Sequence, residues 1–167
     1  MDDSEVWYGV VTSSDSIPTP RLRIADHPFL RGIDPDLMRE AGRGSIDTTH
    51  ETGDLIVRAG APADRFHLIF HGRVAIEVGG PHRVRRTVQT IGPGEVLGWS
   101  WLCPPYVWPF DGRALKETRI VSLDATFLRR ALRSRPAKGY RFLLRLLPVI
   151  GQRLENARIE MAGLQGP

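Results

Sequence analysis

At 167 residues, with a formal net charge of +4 and a single cysteine at Cys103, the chain is long enough to bury one sizeable core. The lone cysteine excludes an internal disulfide and any zinc site built on several thiolates, so no metal is expected. No apolar run approaches the ~18 residues that a membrane span needs, and the acidic start MDDSEVWYGVVTSSDS lacks the pattern of a secretory signal. A cytoplasmic protein with no membrane partner is the expectation.

Charge is unevenly spread. Residues 1–64 carry twelve acidic and six basic side chains, a balance of −6, whereas residues 65–167 carry seventeen basic and seven acidic ones, a balance of +10. Such asymmetry fits a solvated basic face, an acidic tail embracing basic helices, or a surface for an acidic partner.

Residues 1–26 read as a tail, with loop chemistry at Ser13–Ser16 and at Pro18 and Pro20; only Val6–Val11 is apolar enough to dock, as a short strand. The domain proper is expected over 27–167. HPFLRGIDPDLMREAG predicts one or two short helices, with Asp34 as N-cap and Pro35 in the first helical position. Between Ser45 and Asp124 the pattern turns to about eight short strands punctuated by glycines, among them Gly53, Gly60, Gly72 and Gly94. After Ala125 the chain returns to helix: ATFLRRALRSRP stops at Pro136, and a second helix continues with a kink expected at Pro148. Tyr140, Leu143, Leu144, Leu147, Ile150 and Leu154 form a stripe at mixed three and four spacing. The stripe fits either a homodimer through residues 140–154 or cover for the chain's own strands.

The glycine-anchored run ETGDLIVRAGAPADRFHLIFHGRVAIEV, the turn IGPGEVLGW and the exit RALKETRIVSLDATFLRRAL, in this order, resemble the cyclic-nucleotide-binding domain of catabolite-activator-like regulators, kinases and gated channels. The likeness covers about Phe29–Ala162. It implies an α+β fold: a jelly-roll-like β-roll flanked by short N-terminal helices and by C-terminal helices that move when the pocket fills. It also implies a non-catalytic regulatory role, in accord with the absence of G-x-S-x-G, H-E-x-x-H and phosphate-loop patterns.

In the family the phosphate cassette opens with Gly-Glu-Leu. A short helix there turns its N–H groups toward the cyclic phosphate, the glutamate holds the ribose, and an arginine about ten residues on neutralises the phosphate. Here the same place reads GEVLGWSWLCPPYVWPFDGRA, with three of the four tryptophans. Gly98 is kept, but Trp99 stands where the resemblance puts the glutamate. Family members carry an Arg-Ala pair eleven residues before the Asp that ends the next strand, and Arg113 lies eleven before Asp124. Arg113 is therefore that second arginine, and the phosphate-neutralising position, five residues earlier, falls on Trp108. A set of bacterial stand-alone domains of this fold has a similar Gly-Trp-Ser-Trp-Leu start and Pro-Pro-Tyr continuation.

Losing both polar anchors, each worth about 1.5–3 kcal/mol, weakens cyclic-nucleotide binding on the order of a hundredfold or more, so tight cyclic AMP binding is not expected. What remains is an aromatic cage of Trp99, Trp101, Tyr106, Trp108 and Phe110. The candidate ligand-binding set is completed by Gly98, Ser100, Leu102 and Arg113. The cage either stacks a flat, nucleotide-like small ligand or fills its own cavity, with a partner protein as the other class of occupant. Ser100 reads as a cap for the short helix before it reads as a phosphate donor. His67 and His71, four apart on one expected strand face, lack a third metal ligand. The few residues after Met161 are too short for a helix-turn-helix. The second reading is thus a catabolite-activator-type transcription regulator without its own DNA-binding domain, with sequence-specific DNA binding not expected.

Overall fold

The computed structural model describes residues 24–79 and 85–163, with side chains up to Ile159. The tail residues 1–23, including the strand expected at Val6–Val11, lie outside the described residues. Ile24–Asp26 and Pro28–Leu30 are single 3-10 turns, and α1 follows at Pro35–Ala41. The N-terminus of α1 is capped as its sequence dictates: Asp34 Oδ1 accepts from Asp36 N at 3.1 Å and Leu37 N at 3.0 Å, with Pro35 in the first turn. His27 fixes this segment to the sheet through its ring Nε2, 3.0 Å from Ile69 O.

Six strands follow: β1 Ile46–His50, β2 Leu55–Val57, β3 Arg65–Val78, β4 Arg86–Ile91, β5 Val96–Leu97 and β6 Asp111–Asp124. The sheet order is β1-β6-β3-β4, with β2 pairing β6 and β5 pairing β3, all antiparallel. The expected α+β β-roll is what forms, but from fewer and longer strands than the glycine spacing predicts. RFHLIFHG and RVAIEV are one strand, as are GRALKET and RIVSLD, because Gly72 makes a bulge and not a turn. It sits at φ +96, inside a run of register shifts from Ile69 to Val74 that curls β3 and β6 around each other. The same irregularity breaks the alternation between His67 and His71. The two do not share a face: His67 is buried and His71 exposed.

Asp124 ends β6 and caps α2, Ala125–Ser134, accepting from Thr126 N at 2.8 Å and Phe127 N at 3.1 Å. Leu128, Ala131 and Leu132 face the core from α2, while Phe127 is half-buried with the Arg130 guanidinium over its ring. α3 runs from Pro136 to Gly163 as one continuous helix with Pro148 inside it. The core of the roll closes on α3 through edge-to-face rings, with Phe142 meeting Phe29, Phe66 and Trp101 at centroid distances of 5.5, 6.0 and 6.2 Å.

Gly72 offers a direct test of the bulge. A Cβ there would lie 2.4 Å from Thr118 Cα and 2.5 Å from Glu117 O, whereas one at Gly53 (φ +95) would meet nothing within 4 Å. Gly53→Ala is expected to cost about 1–2 kcal/mol from backbone conformation alone, and Gly72→Ala at least about 2 kcal/mol more through the clash with β6. Urea unfolding of the two variants checks the ranking, and equal midpoints would count against the bulge geometry.

Candidate functional site

The GWSWLCPPYVWPF segment links β5 to β6. The short helix expected there is only a turn, closed by Leu102 N donating to Trp99 O at 2.8 Å. Ser100, half-buried, therefore caps no helix. The segment then folds back on the β2–β3 loop. Ala63 N donates to Tyr106 O (2.8 Å), Trp108 N to Ala61 O (2.9 Å) and Gly60 N to Trp108 O (2.8 Å), so residues 106–108 run as a strap along residues 60–63.

The strap sets Trp108. Its indole is buried, 3% exposed, with its six-membered ring against Gly98. Gly98 has φ +71, and a Cβ on it would lie 2.2 Å from that ring, so both the backbone conformation and the contact require glycine. Trp108 also stacks on His67, with centroids 5.8 Å apart and planes at 29°, and tilts against Phe110 at 5.7 Å. Beside it opens a cavity of about 320 Å³, walled by β2, the 61–65 turn, His67 and Trp108.

The five aromatics do not close into one cage. Trp101 is fully buried on the core side, against Phe66 at 5.0 Å and Phe142, and its Nε1 has no hydrogen-bond partner. Tyr106 turns to α2, where the Arg129 guanidinium lies 4.5 Å from its ring centroid. Trp99 lies beneath Arg153 of α3, at 5.9 Å. Only Trp108 lines the cavity; Leu102 lines a separate groove of about 300 Å³ between α2 and α3, together with Tyr140 and Leu143. Arg113, half-buried, is committed elsewhere: Nε donates to Glu77 at 3.1 Å and Nη1 to Gly53 O at 2.7 Å.

Three groups that the motif does not single out shape the region. His67 is 6% exposed and its Nδ1 is 2.7 Å from Ser122 Oγ. Burial pushes its imidazole down to about 3, with His50 and Arg65 adding to the shift, so the ring is neutral at physiological pH. Arg129 Nη1 donates to Trp101 O at 2.5 Å, and Arg153, almost buried, donates from Nη2 to Val96 O. Burial lowers the Arg153 pKa while Glu95 opposes the shift. Both helices thereby hold carbonyls at the two ends of the Val96–Trp101 turn. In the sequence these two arginines are only part of the basic excess of residues 65–167. No cluster of three or more metal-ligating side chains occurs among the described residues, and no helix among them is long and apolar enough to cross a membrane.

With this geometry, the model of the cyclic nucleotide-binding domain family matches residues 48–135. The chain belongs to that regulatory family. It is 30% identical over 114 residues to the HTH-type transcriptional regulator Cmr of Mycobacterium tuberculosis, covering 68% of this chain and 45% of the relative. It is 24% identical over 136 residues to the CRP-like cAMP-activated global transcriptional regulator of the same organism, covering 81% and 59%. It thus spans about half the length of the curated relatives it matches. Among solved structures, a putative cyclic nucleotide-binding protein of Geobacter metallireducens superposes with a TM-score of 0.66 at 24% identity, over 75% of this chain and 91% of that one.

The neutral, buried His67 ties stability to pH. An imidazole that titrates near 6.5 when unfolded and about 3 when folded takes up a proton on unfolding across that window. Stability is therefore full above pH 6.5 and falls as pH drops toward 3, by about 2 kcal/mol between pH 7 and 5 from this group. His27, also lowered by burial, adds to the slope with the same sign. Denaturant midpoints from pH 7 to 5 should show that loss, and His67→Phe should remove most of it and leave the His27 share.

Proposed function

We propose that this chain is a non-catalytic regulatory module whose cavity beside Trp108 binds a small ligand other than a ribose cyclic phosphate. One observation carries the reading: the Trp108 ring lies against Gly98, with no room even for a methyl group between them. In the register read from Arg113 and Asp124 this is the place of the phosphate and its arginine. Trp99 in the glutamate position removes the ribose anchor as well. The names of the relatives, transcriptional regulators among them, support a role in signal response.

Calorimetry of the full chain with cyclic AMP and cyclic GMP tests this. Two charge-assisted bonds fewer predict affinity weaker on the order of a hundredfold or more than that of a family pocket with both anchors. Saturable micromolar binding would sink the reading. The double variant Trp99→Glu, Trp108→Arg is expected to gain measurable affinity, since it restores both partners and reopens the space above Gly98.

The partner that α3 fits is a second copy of the chain. The stripe divides on the helix: Leu143 and Ile150 are half-buried against their own domain, beside the fully buried Phe142 and Leu146, while Tyr140, Leu144, Leu147 and Leu154 are 62, 47, 58 and 51% exposed. Their 4, 3, 7 spacing is the seam of a two-helix coiled coil. Nucleic acid fits the basic helices less well. Arg129, Arg130, Lys138 and Arg145 are already engaged, by Trp101 O, Glu40, Asp34 and Phe29 O respectively. Light scattering at tens of micromolar is expected to report a dimer. Leu144→Asp with Leu147→Asp should convert it to monomer without lowering the cavity's ligand affinity, and a wild-type monomer would rule the pairing out.

A further inference from the structure

The groove between α2 and α3 has a fixed floor, an apolar lining and a basic rim. The floor is set where α3 meets the end of α2: a Cβ on Gly139 would lie 2.5 Å from Leu132 O, so only glycine lets the two helices come this close. Leu102, Leu132, Leu143 and Tyr140 line most of its 300 Å³; Arg129 and Arg133 are the charged residues of the lining, and no acidic one joins them. Arg129 is committed to Trp101 O and the Tyr106 ring. Arg133 is exposed and has no hydrogen bond or ion pair among the described residues. Two residues on, Arg135 holds a buried Nη1 without a partner, and such a cation is costly until an anion meets it.

We propose that this groove is covered by the chain's own N-terminal residues 2–11, DDSEVWYGVV, with the rings of Trp7 and Tyr8 on its apolar lining and Asp2, Asp3 and Glu5 toward Arg133 and Arg135. Charge selects this occupant first. Its three carboxylates directly precede the apolar run, as the two uncompensated guanidinium groups border the apolar groove. Size agrees, since about 300 Å³ is at the small end of binding sites and takes aromatic side chains but not a helix. Reach also suffices. Ile24 lies against the end of α1, its Cδ1 3.1 Å from a Cβ on Gly42, and α1 packs on α2 with Glu40 3.7 Å from Arg130. The groove is thus about two helix widths away, ~20 Å, whereas the twelve residues between Val11 and Ile24 span up to ~40 Å. A nearer cavity of about 410 Å³, beside Ile24 itself, offers no such charge, because Arg39, the charged residue of its lining, is paired with Asp36 at 2.9 Å. Of the exposed seam residues of α3 only Tyr140 lines the groove, so the docked segment leaves Leu144, Leu147 and Leu154 open to a second copy. The proposal stands independently of what the cavity beside Trp108 binds.

The test uses the full chain with tryptophan rings and leucine methyls isotope-labelled, Trp7 being assigned through Trp7→Phe. Nuclear Overhauser contacts from the Trp7 ring to the methyls of Leu102, Leu132 or Leu143 are expected, and they should persist on dilution. Arg133→Glu should lower the ratio of docked to free segment about fivefold, read from the Trp7 ring shifts. Asp2→Lys with Asp3→Lys in that background should restore the ratio, which a merely misfolded variant could not do. Trp7 contacts to Ile33 or Met38 instead, no contact to any described residue, or Trp7 shifts that ignore Arg133→Glu would overturn the proposal. Contacts between separately labelled copies in a mixed sample would overturn it too, by making the occupant a second chain's segment.

Discussion

The contact of Trp108 with Gly98 is the constraint on which the arrangement of the region depends. Gly98 must be glycine twice over, for its left-handed backbone and for the indole at van der Waals range. The indole can reach it only because residues 106–108 are laid along residues 60–63 by three backbone hydrogen bonds. The strap, the turn below it and the adjoining His67 thus form one interlocked unit. A side chain introduced at Gly98 or a shortened strap would disturb all three, since none of them is positioned independently.

Among the described residues, most buried charge is handled in one way, Arg135 Nη1, buried without a partner, being an exception. The two buried histidines are kept toward the neutral form, with burial as the leading cause in each case. Arg153, nearly buried, has a carbonyl as acceptor, an indole face beneath it and Glu95 within electrostatic reach. Cations are thereby kept at the seams between the helices and the roll, where backbone carbonyls left free by turns can accept from them. The acidic groups mostly serve as caps and lateral ties: Asp34 and Asp124 close helices, and Asp47 and Glu77 hold Arg119 and Arg113 across strands.

The sequence was most legible where a single residue dictates local geometry. Asp34-Pro35 and Asp124 mark helix starts because a side-chain oxygen and a fixed φ act within three residues. The family's glycines locate the roll for the same reason. Strand number was overcounted at Gly72, since positive φ serves a bulge as well as a turn, and only the partner strand decides between them. The aromatic segment was legible as a departure from the family pattern but not as an arrangement. Trp99, Trp101 and Trp108 look alike in sequence, yet they face Arg153, the Phe66–Phe142 core and His67 respectively. His67 drew notice for the wrong partner, His71, because the register slip between them leaves no trace in residue type.

The arginines of the last helix have a mechanical meaning. Arg145 grips Phe29 O, near the beginning of the described chain, and Arg153, two turns further along α3, grips Val96 O at the entrance to the aromatic turn. A rod clamped at two points cannot tilt about one without straining the other. The two grips together therefore oppose a tilt of α3 against the turn around Val96 and the 3-10 turn at Pro28–Leu30. The helix is less a lid over the roll than a short brace, about 12 Å between its two grips, and it fastens into one block two segments that already adjoin where Pro28 packs on Gly94.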